Sequence, residues 1–434
     1  MLNHIFVKIT YFCLALLYLA GCNLNSNQKE YHEDGTITIG VAWPQGRGLF
    51  VEGAKLAVKE ANKSGGVLGQ KIELIIDERE EAVFKILETT SILTAGDSIK
   101  EYTRTVARDF SNHSSQVVAV TGHSFSELAF SASLIYQQSN MLFITPNATN
   151  VILTTMNFNN LYRMLPTNVV LGNQLARFAH QNKYENVVIY NESSDYALEL
   201  SKAFSQAASE KYEIKVASQR SFFTSTPQRE LTTYAMNTRE LQNKNSVDAI
   251  FLFTSTSMAE RIIKEFRGRG IKDIPFIGGE GLDSIVFWDN IKKWQEESKL
   301  FANVAVPTMF DYRLPENSVF AKKFRNEFGQ PPDRLAAIEY DTINILLKTI
   351  QKIGTSESSK IADEIRFMNA CQGLTGPISF QENGDIKDKD YMIKWLRPEG
   401  FTFQTLDNKP VKQSRPVGIS QCENHDREND SVVN

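Results

Sequence analysis

Apolar and polar positions along this chain fall into short blocks that alternate between a period of two and a period near 3.6. Residues 36–43 set Ile37, Ile39, Val41 and Trp43 against smaller partners and predict a strand. The turn Pro44-Gln45-Gly46-Arg47-Gly48 follows. Residues 49–62 then carry Ala54, Ala57, Val58 and Ala61 on one helical face, and Ser64-Gly65-Gly66 stops that helix. Residues 71–77 predict the next strand. The clearest block is 117–150. Its continuous apolar run at 117–120 predicts a strand buried on both faces, and Gly122 with the serines after it supplies a turn. Residues 127–138 bring Leu128, Ser131, Ala132 and Ile135 to helical spacing. A second short strand, 141–144, ends at Thr145-Pro146 and the hydroxyl-rich Asn147-Ala148-Thr149-Asn150. Two polar turns are thus expected side by side at the carboxyl ends of neighbouring parallel strands, where open α/β sheets bind small ligands.

The alternation continues. Leu175, Phe178 and Ala179 mark a helix over 171–182, a strand is predicted at 187–190, and Tyr196, Leu200, Ala203, Phe204 and Ala207 mark the next helix. A strand at 249–253 leads through Thr254-Ser255-Thr256 into a helix that a capping box, Ser257 to Glu260, would open. A strand at 274–277 ends in Gly278-Gly279-Glu280-Gly281. Later, Phe320, Phe324 and Phe328 line one helix, and Tyr340, Ile343, Leu347 and Ile350 line another. Residues 374–380 lead to a closing strand pair around Asn383-Gly384, a strong hairpin dipeptide. Between 77 and 116 the pattern predicts one helix at Val83, Ile86 and Leu87, a break at Gly96-Asp97, and a second helix through Thr103, Val106, Ala107 and Phe110. Repeated strand–helix alternation means a parallel sheet with helices on both faces.

The first residues form a separate pattern. Lys8 precedes an apolar run at 12–20 that is too short to span a bilayer, and the run ends in Leu19-Ala20-Gly21-Cys22. Leucine, two small residues and cysteine is the pattern at which lipoprotein signal peptides are cut, so Cys22 is the expected lipidation site. Residues 23–35 read as a polar tether.

Composition narrows the class. About 370 residues between tether and tail suffice for two domains with real cores. The formal charge of −4 is spread along the chain, with no basic face to follow a phosphate backbone, so no nucleic acid is expected as a partner. Six scattered histidines and the cysteines show no metal-ligand spacing, and neither metal nor cofactor is expected. A Cys371–Cys422 bridge would suit an oxidising compartment, but the sequence leaves it open.

The chain from about 36 to 406 resembles the type I periplasmic binding proteins, specifically the leucine/isoleucine/valine-binding group of ABC transporter receptors. The resemblance rests on five stretches: the helix ending Ala61-Asn62 before Gly65-Gly66; Gly122-His123 through Ser126; Thr145 through Asn150; Tyr162-Arg163-Met164-Leu165-Pro166; and the closing strands. It implies an α/β fold of two Rossmann-like lobes with parallel central sheets and a three-segment hinge. Lobe 1 would take 36–165 and 304–375, and lobe 2 would take 166–303 and 376–406. Residues 1–22 would be a lipoprotein signal peptide and 407–434 a polar tail. The implied protein is an extracytoplasmic lipoprotein of the bacterial cell envelope. It would capture an amino acid or an amide-like small ligand by closing its lobes, touch the membrane through its lipid anchor only, and deliver to an ABC permease.

In amino-acid-binding members, serine and threonine from the two first-lobe turns hold the carboxylate, while tyrosine and glutamate from the second lobe close on the ammonium. The matching positions are Ser126, Thr149, Tyr196 and Glu280, with Asn147 contributing backbone. Trp43 and Arg47 on the first turn would border the ligand's side chain, and Thr256 would lie at the second-lobe turn. Each of the four principal residues follows a predicted strand, so all face one cleft. A carboxylate at a helix amino terminus gains N–H donors, and a charge-assisted bond from ammonium to a desolvated carboxylate contributes about 1.5–3 kcal/mol. Two features depart from the group. Phe125 and Glu127 flank Ser126, and Thr254-Ser255-Thr256 stands where the group often offers a second aromatic.

Enzymatic alternatives fall away. Gly46-Arg47-Gly48 lacks the lysine and third glycine of phosphate loops. Gly122-His123-Ser124-Phe125-Ser126 mimics a nucleophile elbow, but its second glycine is Ser126, and the only later histidines are His180 and His425. The remaining alternative is a lipoprotein of the same fold that serves as a sensor or as a regulator of an envelope enzyme.

Overall fold

The computed structural model describes residues 35–407 except 90–91, 114–115, 272 and 398–399. The leader, Cys22, most of the tether, Cys422 and the tail from 408 lie outside the described residues. Cys371 is disulfide-bonded.

The first sheet is parallel throughout. Its five strands are β1 (Thr36–Ala42), β2 (Lys71–Asp77), β3 (Val117–Gly122), β4 (Leu142–Thr145) and β5 (Leu161–Arg163), in the order β2-β1-β3-β4-β5. Every residue of β3 and β4 is buried, as expected of strands covered on both faces. The covering helices are α1 (Phe50–Lys63), α2 (Glu81–Thr89), α3 (Ile92–Asn112) and α4 (Ser126–Gln138). Gly96 and Asp97, expected to break a helix, lie inside α3. One glycine costs about 1 kcal/mol in a helix, and the buried stripe of Ile99, Thr103, Val106, Ala107 and Phe110 outweighs it.

The chain then leaves for a second sheet. After the short helix α5 (Ile152–Thr155) come α6 (Asn168–Gln181), β6 (Asn186–Glu192), α7 (Asp195–Tyr212), β7 (Lys215–Phe222), α8 (Gln228–Asn243), β8 (Ala249–Phe253), α9 (Thr256–Gly268), β9 (Phe276–Gly278), α10 (Ile285–Ser298) and β10 (Val304–Thr308). Strands β7, β6, β8, β9 and β10 are parallel neighbours in that order. Strand β10 pairs with β9 on one side, so the return to the first lobe falls after Thr308 and not at 304. Helix α9 begins one residue before the expected capping box, with Ser255 as its cap. Glu260 accepts from Asn290 instead of reaching back to Ser257.

Helices α11 (Ser318–Phe328), α12 (Arg334–Ile353) and α13 (Ser358–Arg366) follow, and α12 packs along α1. A small ladder joins β11 (Cys371–Gly373) and β12 (Gly376–Ile378). The closing hairpin is β13 (Met392–Arg397) with β14 (Gly400–Thr405), added antiparallel to β10. At Asn383-Gly384, where the closing pair was expected, only an isolated Phe380–Ile386 bridge forms. That turn docks on the edge of the first sheet instead. The Gly384 carbonyl accepts from the Arg163 N–H at 3.0 Å, and the Arg163 guanidinium lies 2.6 Å from Asp385.

Segments that cross between the two sheets are tied together by a buried polar group. Asp341 on α12 accepts from the Leu374 N–H, the Thr375 N–H and the Thr375 hydroxyl at 2.7–2.9 Å. Lys389 donates to the same hydroxyl at 2.8 Å and to the Met164 carbonyl at 3.4 Å. Among the described residues no helix is long and apolar enough to cross a membrane.

Candidate ligand site

The first-lobe half of the site is built by two adjoining strand ends. Gly122 closes β3 with φ +124°, and a Cβ there would sit 2.1 Å from the Ala42 carbonyl oxygen, so only glycine fits. His123 follows in the left-handed region and donates its N–H to that carbonyl at 2.8 Å. Its ring is pinned from both sides, 2.6 Å from Glu80 and 3.0 Å from the Tyr136 hydroxyl. Glu80 also accepts from the Ser124 N–H and hydroxyl. The residue just ahead of α2 thereby holds the turn that leads into α4, a role no local pattern in the sequence announces.

Ser126 is the first residue of α4 and is buried. Its hydroxyl oxygen accepts from the N–H groups of Thr149 at 3.2 Å and Asn150 at 3.3 Å, which stitches the two polar turns together. Asn147 donates to the Ser124 carbonyl at 2.9 Å and accepts from Arg334 at 3.3 Å. Thr149 is buried, and its carbonyl accepts from the Asn168 N–H at the start of the second lobe. Arg163 supports this turn from below, donating to the Ala148 and Asn150 carbonyls. Glu127, beside Ser126, is half-buried; burial lifts its carboxyl above the usual carboxylate range, and the charge of Asp195 adds to the lift.

The second-lobe half centres on Glu280, which is 4% exposed. The Tyr196 hydroxyl, at the start of α7, donates to Glu280 Oε2 at 2.7 Å. Gly279 makes that reach feasible, since a Cβ there would lie 2.3 Å from the Tyr196 oxygen. Burial raises the Glu280 carboxyl. The Arg334 charge, the Tyr196 hydroxyl and the N–H groups of Glu280 and Gly281 partly offset that rise. Burial also pushes the Tyr196 phenol well up, reinforced by Glu280, so Tyr196 stays a donor.

Ser126, Asn147 and Thr149 therefore come together in one lobe, Tyr196 and Glu280 in the other, and Arg334 stands beside both groups. The other three candidates lie on the first turn and at the start of α9. Trp43 is buried and stacks on Phe50 with ring centroids 4.1 Å apart, while its indole N–H closes the first turn onto the Arg47 carbonyl at 2.8 Å. Arg47 is exposed on that turn. Thr256 is half-buried at the start of α9, next to Thr254 and Ser255, which both donate to Glu192. Sequence reasoning missed Arg334, the first residue of α12, and Tyr391, buried just before β13. Each lies far along the chain from the turns, and neither follows a parallel strand.

One carboxylate of the second lobe joins the end of the first lobe to the start of its own. Glu199 on α7 accepts from the Val151 N–H with both oxygens at 3.3 Å and from the Asn168 amide at 2.7 Å. Among the described residues no cluster of three His, Cys, Asp or Glu could hold a metal ion.

The family described as "Receptor family ligand binding region" matches residues 51–398, and the chain belongs to it. Its fold is that of the type I periplasmic binding proteins, and it resembles their leucine/isoleucine/valine-binding members. The relatives include the leucine-, isoleucine-, valine-, threonine- and alanine-binding protein of Pseudomonas aeruginosa, 22% identical over 347 residues, covering 79% of this chain and 83% of that protein. A Leu/Ile/Val-binding protein homolog of Brucella suis is 22% identical over 353 residues, covering 79% of this chain and 84% of that protein. Among solved structures, an ABC transporter substrate-binding protein of Desulfitobacterium hafniense in complex with Leu superposes with a TM-score of 0.69 at 25% identity, covering 85% of this chain and 99% of that one. A solute-binding protein of Rhodopseudomonas palustris bound to 3,4-dihydroxybenzoic acid reaches 0.67 at 18% identity, covering 89% and 99%, and shares the fold. These are binding proteins, and the chain is a substrate-binding protein and not an enzyme.

Proposed function

We propose that this chain is the extracytoplasmic receptor of an ABC importer, capturing an amino acid or a similar small polar ligand between its lobes. It would be held at the bacterial cell envelope by lipid on Cys22, with an ABC permease as its partner. One observation carries the reading: the buried Glu280 carboxylate of one lobe, held by the half-buried Tyr196, lies across the cleft from the Ser126–Asn147–Thr149 turns of the other, with Arg334 beside both. Ser126 and Thr149 would offer hydroxyls to the ligand carboxylate. Glu280, kept in place by Tyr196, would accept the ammonium. The relatives whose names include leucine, isoleucine and valine support an amino acid as the ligand class. Closure would signal occupancy to the permease only if the ligand binds the closed state more tightly than the open one.

Titration calorimetry of the purified chain against the common amino acids tests this. Saturable, one-to-one binding of at least one amino acid is expected. Folded, ligand-free protein that binds none of them would turn the assignment toward the partner-binding alternative.

A further inference from the structure

Arg334 is 7% exposed, and its charge is felt by the buried carboxyls of Glu280 and Asp333 without an ion pair to either. One guanidinium nitrogen donates to the Asn147 amide oxygen at 3.3 Å, a long bond to a neutral acceptor, and among the described residues Nε has no hydrogen-bond partner. Its neighbour Asp333 is taken up by the N–H groups of Leu49 and Ala336. Glu280 feels the Arg334 charge but forms no ion pair with it. Tyr391, only 3% exposed, stands in the same field, influenced by both Glu280 and Arg334, and its hydroxyl is likewise unpartnered. A buried cation and a buried hydroxyl, both with unused donors, lie within electrostatic reach of the carboxylate expected to take an ammonium. Burying either without a partner costs free energy that a fold does not carry idly.

The Ser126–Thr149 turn differs on this point. The Thr149 and Asn150 N–H groups already point at the Ser126 oxygen, so that turn offers hydroxyls and the N–H groups that open α4, but no cationic side chain. A purely aliphatic ligand side chain would leave the guanidinium desolvated and unpaired. A side chain ending in a carboxylate would complete it, with the planar fork of Arg334 and the Tyr391 hydroxyl donating together.

We propose that Arg334 and Tyr391 form a second anion subsite in the cleft, and that the ligand is an amino acid whose side chain ends in a carboxylate. This rests on the receptor reading above and narrows it. The three recognition elements then divide the ligand. Glu280 and Tyr196 take the ammonium, Ser126 and Thr149 take the α-carboxylate, and Arg334 and Tyr391 take the distal one.

The test is titration calorimetry of the full chain in detergent with L-glutamate, L-aspartate, L-glutamine and L-leucine, repeated on Tyr391→Phe and Arg334→Gln. Circular dichroism and the thermal midpoint verify folding. Tyr391→Phe removes only an unpartnered hydroxyl, so its midpoint should hold or rise. Expected is glutamate or aspartate binding at least tenfold tighter than glutamine or leucine, with each variant losing about tenfold or more for the acidic ligand and little for glutamine. Leucine binding most tightly, with affinity unchanged in both variants, would overturn the subsite and leave the receptor reading intact. Equal losses for leucine and glutamate would also overturn it, because Arg334 would then be holding the α-carboxylate. Folded protein that binds none of the four but does bind another neutral amino acid would refute the subsite alone. Binding of no amino acid at all would refute both readings.

Discussion

At Glu280, burial and neighbouring donors pull in opposite directions, and the balance has a measurable pH signature. Burial raises the carboxyl above its ordinary value of about 4.3, while Arg334, Tyr196 and two backbone N–H groups resist the rise. An ammonium pairs only with the ionised form. Affinity for an amino acid should therefore fall on acidification, starting at a higher pH than an unperturbed glutamate would give, and calorimetry across pH 4–8 would follow it. Glu280→Gln should bind weakly and lose that pH dependence. The stability of the empty protein runs the other way. A raised carboxyl penalises the ionised fold, so the contribution of Glu280 falls as pH rises through its folded value. Gly279→Ala should displace the Tyr196 hydroxyl, whose oxygen would sit 2.3 Å from the new Cβ, and overpacking of this kind costs about 1–3 kcal/mol. Chemical denaturation would measure it. The meeting of Tyr196 and Glu280 was legible in the sequence because each follows a parallel strand. Arg334 and Tyr391 were not. One opens a helix and the other precedes an edge hairpin, and only the return of the chain brings them within electrostatic reach of Glu280. Trp43 shows the converse. The sequence offers it as a border to the ligand's side chain; its ring packs on Phe50 and its N–H closes a turn, contacts that periodicity does not announce.

At the scale of elements, the start of the α2–α3 helix pair is coupled to the 122–126 turn through one side chain. Glu80, fully buried just ahead of α2, contacts the His123 ring and accepts from the Ser124 N–H and hydroxyl. Replacing it with leucine would strand three buried polar groups. Glu80→Leu should destabilise the protein by about 3 kcal/mol or more and weaken ligand binding, read by denaturant unfolding and calorimetry. His123→Phe tests the same link from the other end, leaving Glu80 buried beside an apolar ring. The order of strands and helices was readable from periodicity, since buried parallel strands write themselves as continuous apolar runs. Boundaries set by side chains in distant elements were not. Gly96 looked like a helix break but rides inside α3, and the Asn383-Gly384 turn serves as a dock for β5 where a hairpin was expected.

Across the whole molecule, two sheets communicate through crossings that share buried polar ties. Asp341 caps the 374–375 crossing and, through Thr375, meets Lys389, whose ammonium burial has lowered to about 8. Asp341→Asn would leave Lys389 buried without its counter-charge, and a loss of about 3–5 kcal/mol is expected in denaturant unfolding. The sign of the pH effect follows from the lowered lysine. Between about 8 and its unfolded value near 10.4, the unfolded chain holds more protons, so the Lys389 contribution to stability grows as pH rises. Lys389→Met should abolish that slope. Two lobes and several crossings were legible from strand–helix alternation and the family likeness. The return point was not, because β10 is an apolar run that either sheet could have taken, and only its pairing with β9 and β13 assigns it.

Recognition of a ligand ammonium by Glu280 lies at the centre of this account, and a double cycle tests it most directly. Titration calorimetry would compare the bound amino acid with its 2-hydroxy-acid counterpart, which lacks the ammonium, on the native chain and on Glu280→Gln. The account predicts a coupling of about 1.5–3 kcal/mol between the ammonium and Glu280, so that losing either partner costs nearly as much as losing both. Strictly additive losses would mean that Glu280 and the ammonium do not meet, and would contradict it.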